Sequence, residues 1–112
     1  MVKQLMARGL PMPVLQYEIR GADGRFVARV DAAYPQWRIA VEYDSDQFHS
    51  GVQAGNRDEA RRRAIRRVDW DVVPVHNADL ARDCVDVVRT ITSLRDRPGS
   101  FWRRSRAASA RF

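Results

Sequence analysis

The feature that most constrains this chain is the dipeptide Asp23-Gly24, set between two alternating apolar–polar runs. Asp-Gly is a favoured pair where a tight hairpin needs backbone with φ > 0, so Gly21–Gly24 is read as a turn joining two antiparallel strands. The first run, Val14 to Ile19, puts Val14, Gln16 and Glu18 on one face and Leu15, Tyr17 and Ile19 on the other. The second covers Phe26 to Ala33 and ends near Tyr34-Pro35. A third, Arg38 to Tyr43, is rich in β-formers and reads as central, which gives a three-stranded antiparallel meander.

Beyond the meander the pattern is mixed. Ser45, Asp46, Gln47, His49, Ser50 and Gly51 form a polar loop. Asn56 to Val68 then reads as a helix that packs through Ala60, Ala64, Ile65 and Val68. Val72 to Val75 is a short buried strand. Asn77 is placed to cap a final helix from Asp79 to about Arg95, with Leu80, Cys84, Val87, Val88, Ile91 and Leu94 at helical spacing. Met1 to Leu10 has room for a short helical turn before Gly9 and the prolines at 11 and 13. The order is βββ-α-β-α, an α/β (α+β) mixed sheet with helices packed on it. Residues 1–97 are expected to form one domain. Residues 98–112, with Arg103, Arg104, Arg106, Arg111 and no acid, are expected to be a flexible basic tail; Trp102 among its arginines suits stacking on a base, although an unstructured end is the simpler account.

Composition narrows the function classes. A chain of 112 residues, 45% hydrophobic and 30% charged, can bury a single core. No run approaches the roughly 18 apolar residues of a membrane span. The first ten residues carry Lys3 and Arg8 and lack an apolar stretch of signal-peptide type, so a cytoplasmic location without membrane contact is expected. Cys84 is the only cysteine, which excludes an internal disulfide and any multi-thiolate zinc site. The net charge of +6 raises the odds of a polyanionic partner with a phosphate backbone, although on charge alone a merely basic soluble protein is the better reading; Lys3 is the sole lysine among the basic residues.

Chemistry is concentrated at the end of the central strand. Glu42 and Asp44 are two residues apart and leave the same face, about 7 Å apart. Asp31 sits late in the preceding strand, which a hairpin would lay beside Glu42. Three converging carboxylates repel unless a cation or raised pKa values offset them. Mg²⁺, with Mn²⁺ as a substitute, suits hard carboxylate oxygens and keeps waters for hydrolysis. The competing account is that Asp31, Glu42 and Asp44 are strand-end acids paired with arginines. His49 is positioned to take a proton from water or to stabilise phosphate charge, unless it is an ordinary exposed loop histidine. Arg57 and Arg61, four apart on one helix face, suit phosphate oxygens; Arg62, Arg63, Arg66 and Arg67 read as surface, and His76, Trp37 and Trp70 as structural.

Arg29-Val-Asp31, Tyr34-Pro35, Ala40-Val-Glu-Tyr-Asp44, His49, Arg57-Asp58 with Arg61, and Trp70-Asp-Val-Val73 together resemble the endonuclease-domain family related to very-short-patch-repair (Vsr) endonucleases, in the PD-(D/E)XK superfamily. The resemblance runs from about Leu10 to Leu94. It implies a restriction-endonuclease-like core and metal-dependent cleavage of DNA at the strand ends by Asp31, Glu42, Asp44 and His49. The chain departs from the pattern at three points. Glu42-Tyr-Asp44 replaces the superfamily's Glu-x-Lys, and Asp44-Ser45 replaces the family's Asp-Gly, with an extra Phe48 before His49. The longer first helix and its acidic residue are not seen, leaving Glu18 as a stand-in. Two rival readings accompany the endonuclease: a nuclease fold that only binds nucleic acid, and an interaction module of a toxin–antitoxin or defence pair. Expected partners beyond DNA are a second copy, as a homodimer, or an N-terminal or separate domain.

Overall fold

The computed structural model describes residues 1–44 and 52–97. The loop holding His49 and the basic tail with Trp102 lie outside the described residues. In chain order the elements are α1 (Val2–Ala7), β1 (Val14–Arg20), β2 (Phe26–Tyr34), β3 (Ile39–Tyr43), α2 (Val52–Arg67), β4 (Asp71–Val75), α3 (Asn77–Ala81) and α4 (Val85–Asp96). The four strands form one mixed sheet in the order β1-β2-β3-β4, the first three antiparallel and β4 parallel to β3.

The predicted hairpin is present. Gly24 has φ +82°, a conformation open to glycine and strained for most other residues, and its N–H donates to the Gly21 carbonyl. Both faces of the sheet are covered. On one, Leu5 of α1 and Val87 and Ile91 of α4 pack with Tyr34, Ile39, Val41, Val73 and Val75. On the other, Ile65 of α2 and Trp70 pack with Ile19, Ala28, Val30 and Ala40. The inner strand β3 and the parallel edge strand β4 therefore read as nearly continuous apolar runs, because a sheet covered on both faces has no solvent face to alternate toward.

In β2, Ala28 and Val30 pack toward α2 while Ala32 and Tyr34 pack toward α4. The change falls at Asp31, opposite Gln16, whose backbone is left-handed at φ 49°. That irregularity lifts Asp31 out of the packed core to the surface, where the residue is exposed.

Several expectations are corrected. The helix expected from Asn56 begins at Val52, and Ala60 is exposed, because α2 rests on the sheet through its C-terminal half. The single last helix is two, α3 and α4, broken where Asp83 and Cys84 adopt left-handed backbone (φ 56° and 58°). His76, not Asn77, precedes the first turn of α3, and its N–H donates to the Asp79 carboxylate at 2.8 Å. The apolar stripe survives the break: Cys84, Val87 and Ile91 are buried, with Leu80, Val88 and Leu94 packed against them. Leu15, grouped on one face with Tyr17 and Ile19, is half exposed on the edge strand, whereas Ile19 is buried. Among the described residues no helix is long and apolar enough to cross a membrane.

Candidate metal centre and its arginines

The register that aligns Ala32 with Val41 and Ala33 with Ala40 sets Asp31 opposite Glu42 on the next strand. Both carboxylates line one pocket of about 170 Å³, together with Tyr43, Asp44, Asp58, Arg61 and Arg62. The pocket opens at the C-terminal end of β3, beside the parallel strand β4, where open sheets leave a crevice beyond their strand ends. The middle turns of α2 form the opposite wall.

Each carboxylate has a defined environment. Asp31 Oδ2 accepts the Tyr43 backbone N–H at 2.9 Å, which ties the two strands together at the site. Glu42, with a side chain 12% exposed, is ion-paired to Arg61. Asp44 Oδ2 meets Arg62 Nη2 at 3.1 Å and His76 Nδ1 at 4.0 Å, and the Asp44 N–H donates to the Val75 carbonyl at 2.8 Å. Arg61 also donates to the Arg29 backbone carbonyl, so its guanidinium bridges β2 and β3. The hydrogen bond to Glu42, reinforced by the charges of Glu42, Asp31 and Asp58, pushes the Arg61 pKa above its ordinary value. Tyr43 Oη contacts Asn77 Oδ1 at the rim.

The lining holds four carboxylates against two guanidiniums, a formal excess of two negative charges. A single divalent cation would balance that excess, and Mg²⁺ commonly rests on one or two protein carboxylates with waters and substrate oxygens completing its shell. Asp31 and Glu42 supply that donor type. The trio is not a closed cage: among the described residues no three His, Cys, Asp or Glu side chains gather closely enough to hold a metal between them. Asp44 shares the pocket but is tied to Arg62.

Of the residues singled out in the sequence, the fold brings Asp31, Glu42, Asp44 and Arg61 together. Arg57 is exposed and does not line the pocket. Glu18 lies elsewhere; hydrogen bonds from Arg29 and Arg20 hold its carboxyl below the usual range. Sequence reasoning missed Asp58, Arg62 and His76 as site residues. Asp58, Arg61 and Arg62 stand three and four apart, on one helical face, and that spacing was an available signal. His76 reaches Asp44 only through the parallel pairing of β3 with β4, which no local pattern announces.

No protein-family model matches the chain. It is similar to two uncharacterized proteins of Mycobacterium tuberculosis, from strains CDC 1551 and H37Rv, each 38% identical over 79 residues. The match covers 70% of this chain but 29% of each relative, so the chain spans under a third of the length of the curated relatives it matches. No solved structure matches.

Proposed function

We propose that this domain is a metal-dependent endonuclease with a restriction-endonuclease-like core, hydrolysing phosphodiester bonds of DNA. The observation that carries the reading is the meeting of Asp31 and Glu42 from adjacent antiparallel strands in one pocket, with two guanidiniums on its opposite wall. Asp31 and Glu42 would hold Mg²⁺ or Mn²⁺, with Asp44 completing the acidic lining. When bound, such an ion polarises a phosphoryl oxygen and lowers the pKa of a coordinated water. Arg61 and Arg62 neutralise the phosphate, a task their planar donors suit. His49 takes the proton from the attacking water. Target choice falls to further protein, on the same chain or separate; the matched relatives have most of their length beyond the shared stretch. The lone buried thiol of Cys84 fits a reducing cytoplasm.

The test is cleavage of supercoiled, linear and single-stranded DNA in Mg²⁺, Mn²⁺ and EDTA. Glu42→Gln should abolish metal-dependent cutting while DNA binding is kept or strengthened, because the amide keeps the shape and removes a charge that repels phosphate. Undiminished cutting by this variant sinks the assignment. A second reading, nucleic-acid binding without catalysis, is favoured by the ion pairs that Arg61 and Arg62 make with Glu42 and Asp44. It predicts salt-sensitive binding that ignores Mg²⁺ and EDTA alike.

A further inference from the structure

We infer that the molecule carries a second nucleic-acid subsite, at the end of the sheet away from Asp31 and Glu42, which takes one phosphate and its nucleoside. A cavity of about 640 Å³ lies there, between the β1–β2 hairpin, the turn before β3 and the C-terminal end of α2. Its volume is in the range that holds a nucleotide-sized ligand.

Arg20, Arg38 and Arg67 line this cavity together with two carboxylates, Glu18 and Asp69; Glu18 is paired with Arg20 at 2.9 Å, whereas neither Arg38 nor Arg67 makes an ion pair with a carboxylate among the described residues. Arg38 is half-buried, so its guanidinium is partly removed from water, where a charge-assisted hydrogen bond to an anion gains strength. The wall beside it is apolar: Tyr17 and Trp70 stand with ring centroids 5.4 Å apart, next to Pro35. The chemistry is therefore that of a nucleotide, with the anion on the guanidiniums and the sugar and base against the rings.

Backbone strain marks the same place. Arg38 and Asp69 both line the cavity and both hold left-handed backbone, at φ 53° and 67°. Such conformations are strained for residues other than glycine and gather where a ligand is gripped. The Asp71 N–H donates to the Arg38 carbonyl at 2.9 Å and pins the strained turn.

The two sites share α2. Arg61 lines the carboxylate pocket and Arg67 the second cavity, six residues and roughly 9 Å apart along the helix axis. A strand cut at Glu42 would thus be held again a few nucleotides away. The inference rests on the nucleic-acid reading of the domain but not on cleavage.

The experiment measures binding of a fluorescein-labelled oligothymidylate of about 12 nucleotides by anisotropy, in EDTA, with the full chain. Arg38→Asn with Arg67→Gln is compared with Arg63→Gln plus Arg82→Gln. Both pairs remove two positive charges, and neither Arg63 nor Arg82 lines the carboxylate pocket or the second cavity. Asn tolerates left-handed backbone, so the turn is kept, and thermal melting checks the fold. The expected result is about a tenfold loss for the cavity pair and less than threefold for the control. Equal losses overturn the subsite. Thymidine monophosphate should displace the probe at concentrations where inorganic phosphate does not; equal displacement overturns the nucleoside half of the inference. A protein that shows the tenfold loss yet never cuts fails only the endonuclease proposal, and one that cuts but loses affinity equally in both pairs fails only this one.

Discussion

Arg61 sits where a metal would act. Its guanidinium occupies the one carboxylate of the pocket best shielded from water, Glu42, and is held by the Arg29 carbonyl as well. A positive side chain and a divalent cation compete for the same oxygens, so Arg61→Gln should tighten Mn²⁺ binding without DNA by about three- to tenfold. The same substitution should weaken DNA binding, since the phosphate partner is lost. Isothermal titration with MnCl₂ decides: weaker metal binding by the variant would show that Arg61 orders Glu42 for the metal instead of displacing it. Tyr34, fully buried at the floor of the sheet, offers a separate test of the packing beneath. Burial pushes its phenol up to about 12, and its hydroxyl donates to the Pro11 carbonyl at 2.9 Å. The folded pKa lies above the unfolded value of about 10. The contribution is therefore complete below pH 10 and lost as pH rises toward 12, because the unfolded chain releases the proton first. Denaturant midpoints should fall across that window in the parent and fall less steeply in Tyr34→Phe.

At the scale of elements, the hairpin and the strand-end acids were legible because they depend on local rules. Asp23-Gly24 announces its turn, and a second hairpin between Tyr34 and Ile39 lays the end of β2 that holds Asp31 beside Glu42. The break between α3 and α4 was not legible. The apolar positions Leu80, Cys84, Val87, Val88, Ile91 and Leu94 keep helical spacing across it, and neither Gly nor Pro marks it. What stabilises the break is tertiary: Arg8 Nε donates to the Asp83 carbonyl at 2.8 Å, Gln4 Nε2 to the Leu80 carbonyl at 3.0 Å, and the Cys84 thiol to Gln4 Oε1 at 3.2 Å. α1 satisfies the polar groups that the broken helix leaves over, and burial raises the Cys84 thiol pKa so that it stays protonated as a donor. The α1 contacts to the main chain do not depend on the Asp83 side chain, but its backbone is left-handed. Asp83→Gly should therefore leave the melting temperature unchanged or raise it slightly. Asp83→Val, which is β-branched, should cost about 1–2 kcal/mol. Equal melting temperatures for the two variants would mean that the junction is helical in solution. The arginines of α2 fall between these cases: their number was plain, but which of them face the carboxylates depended on how the helix lies on the sheet.

For the whole molecule, the proposed endonuclease activity bears on how many strands one chain would cut. The described residues bring a single carboxylate pocket to the sheet end, walled by one face of α2. One pocket opposes one phosphodiester, and the opposite strand of a duplex presents its scissile phosphate in a reversed polarity that the same donors cannot meet in the same encounter. If the domain acts as a monomer, supercoiled plasmid should convert first to nicked circle. Linear product should appear only as a later, independent event, and the initial rate should be proportional to protein concentration. A homodimer would place a second pocket on the other strand; linear product would then form without a nicked intermediate, and the rate would rise with the square of concentration at low protein. Gel analysis of plasmid time courses over a hundredfold range of protein separates the two. The net charge of +6 adds a condition to the comparison: non-specific binding to phosphate weakens steeply with salt, so every concentration must be run at one ionic strength. Immediate linearisation at the lowest protein concentrations would rule out the monomeric nick and point to an active species with two pockets.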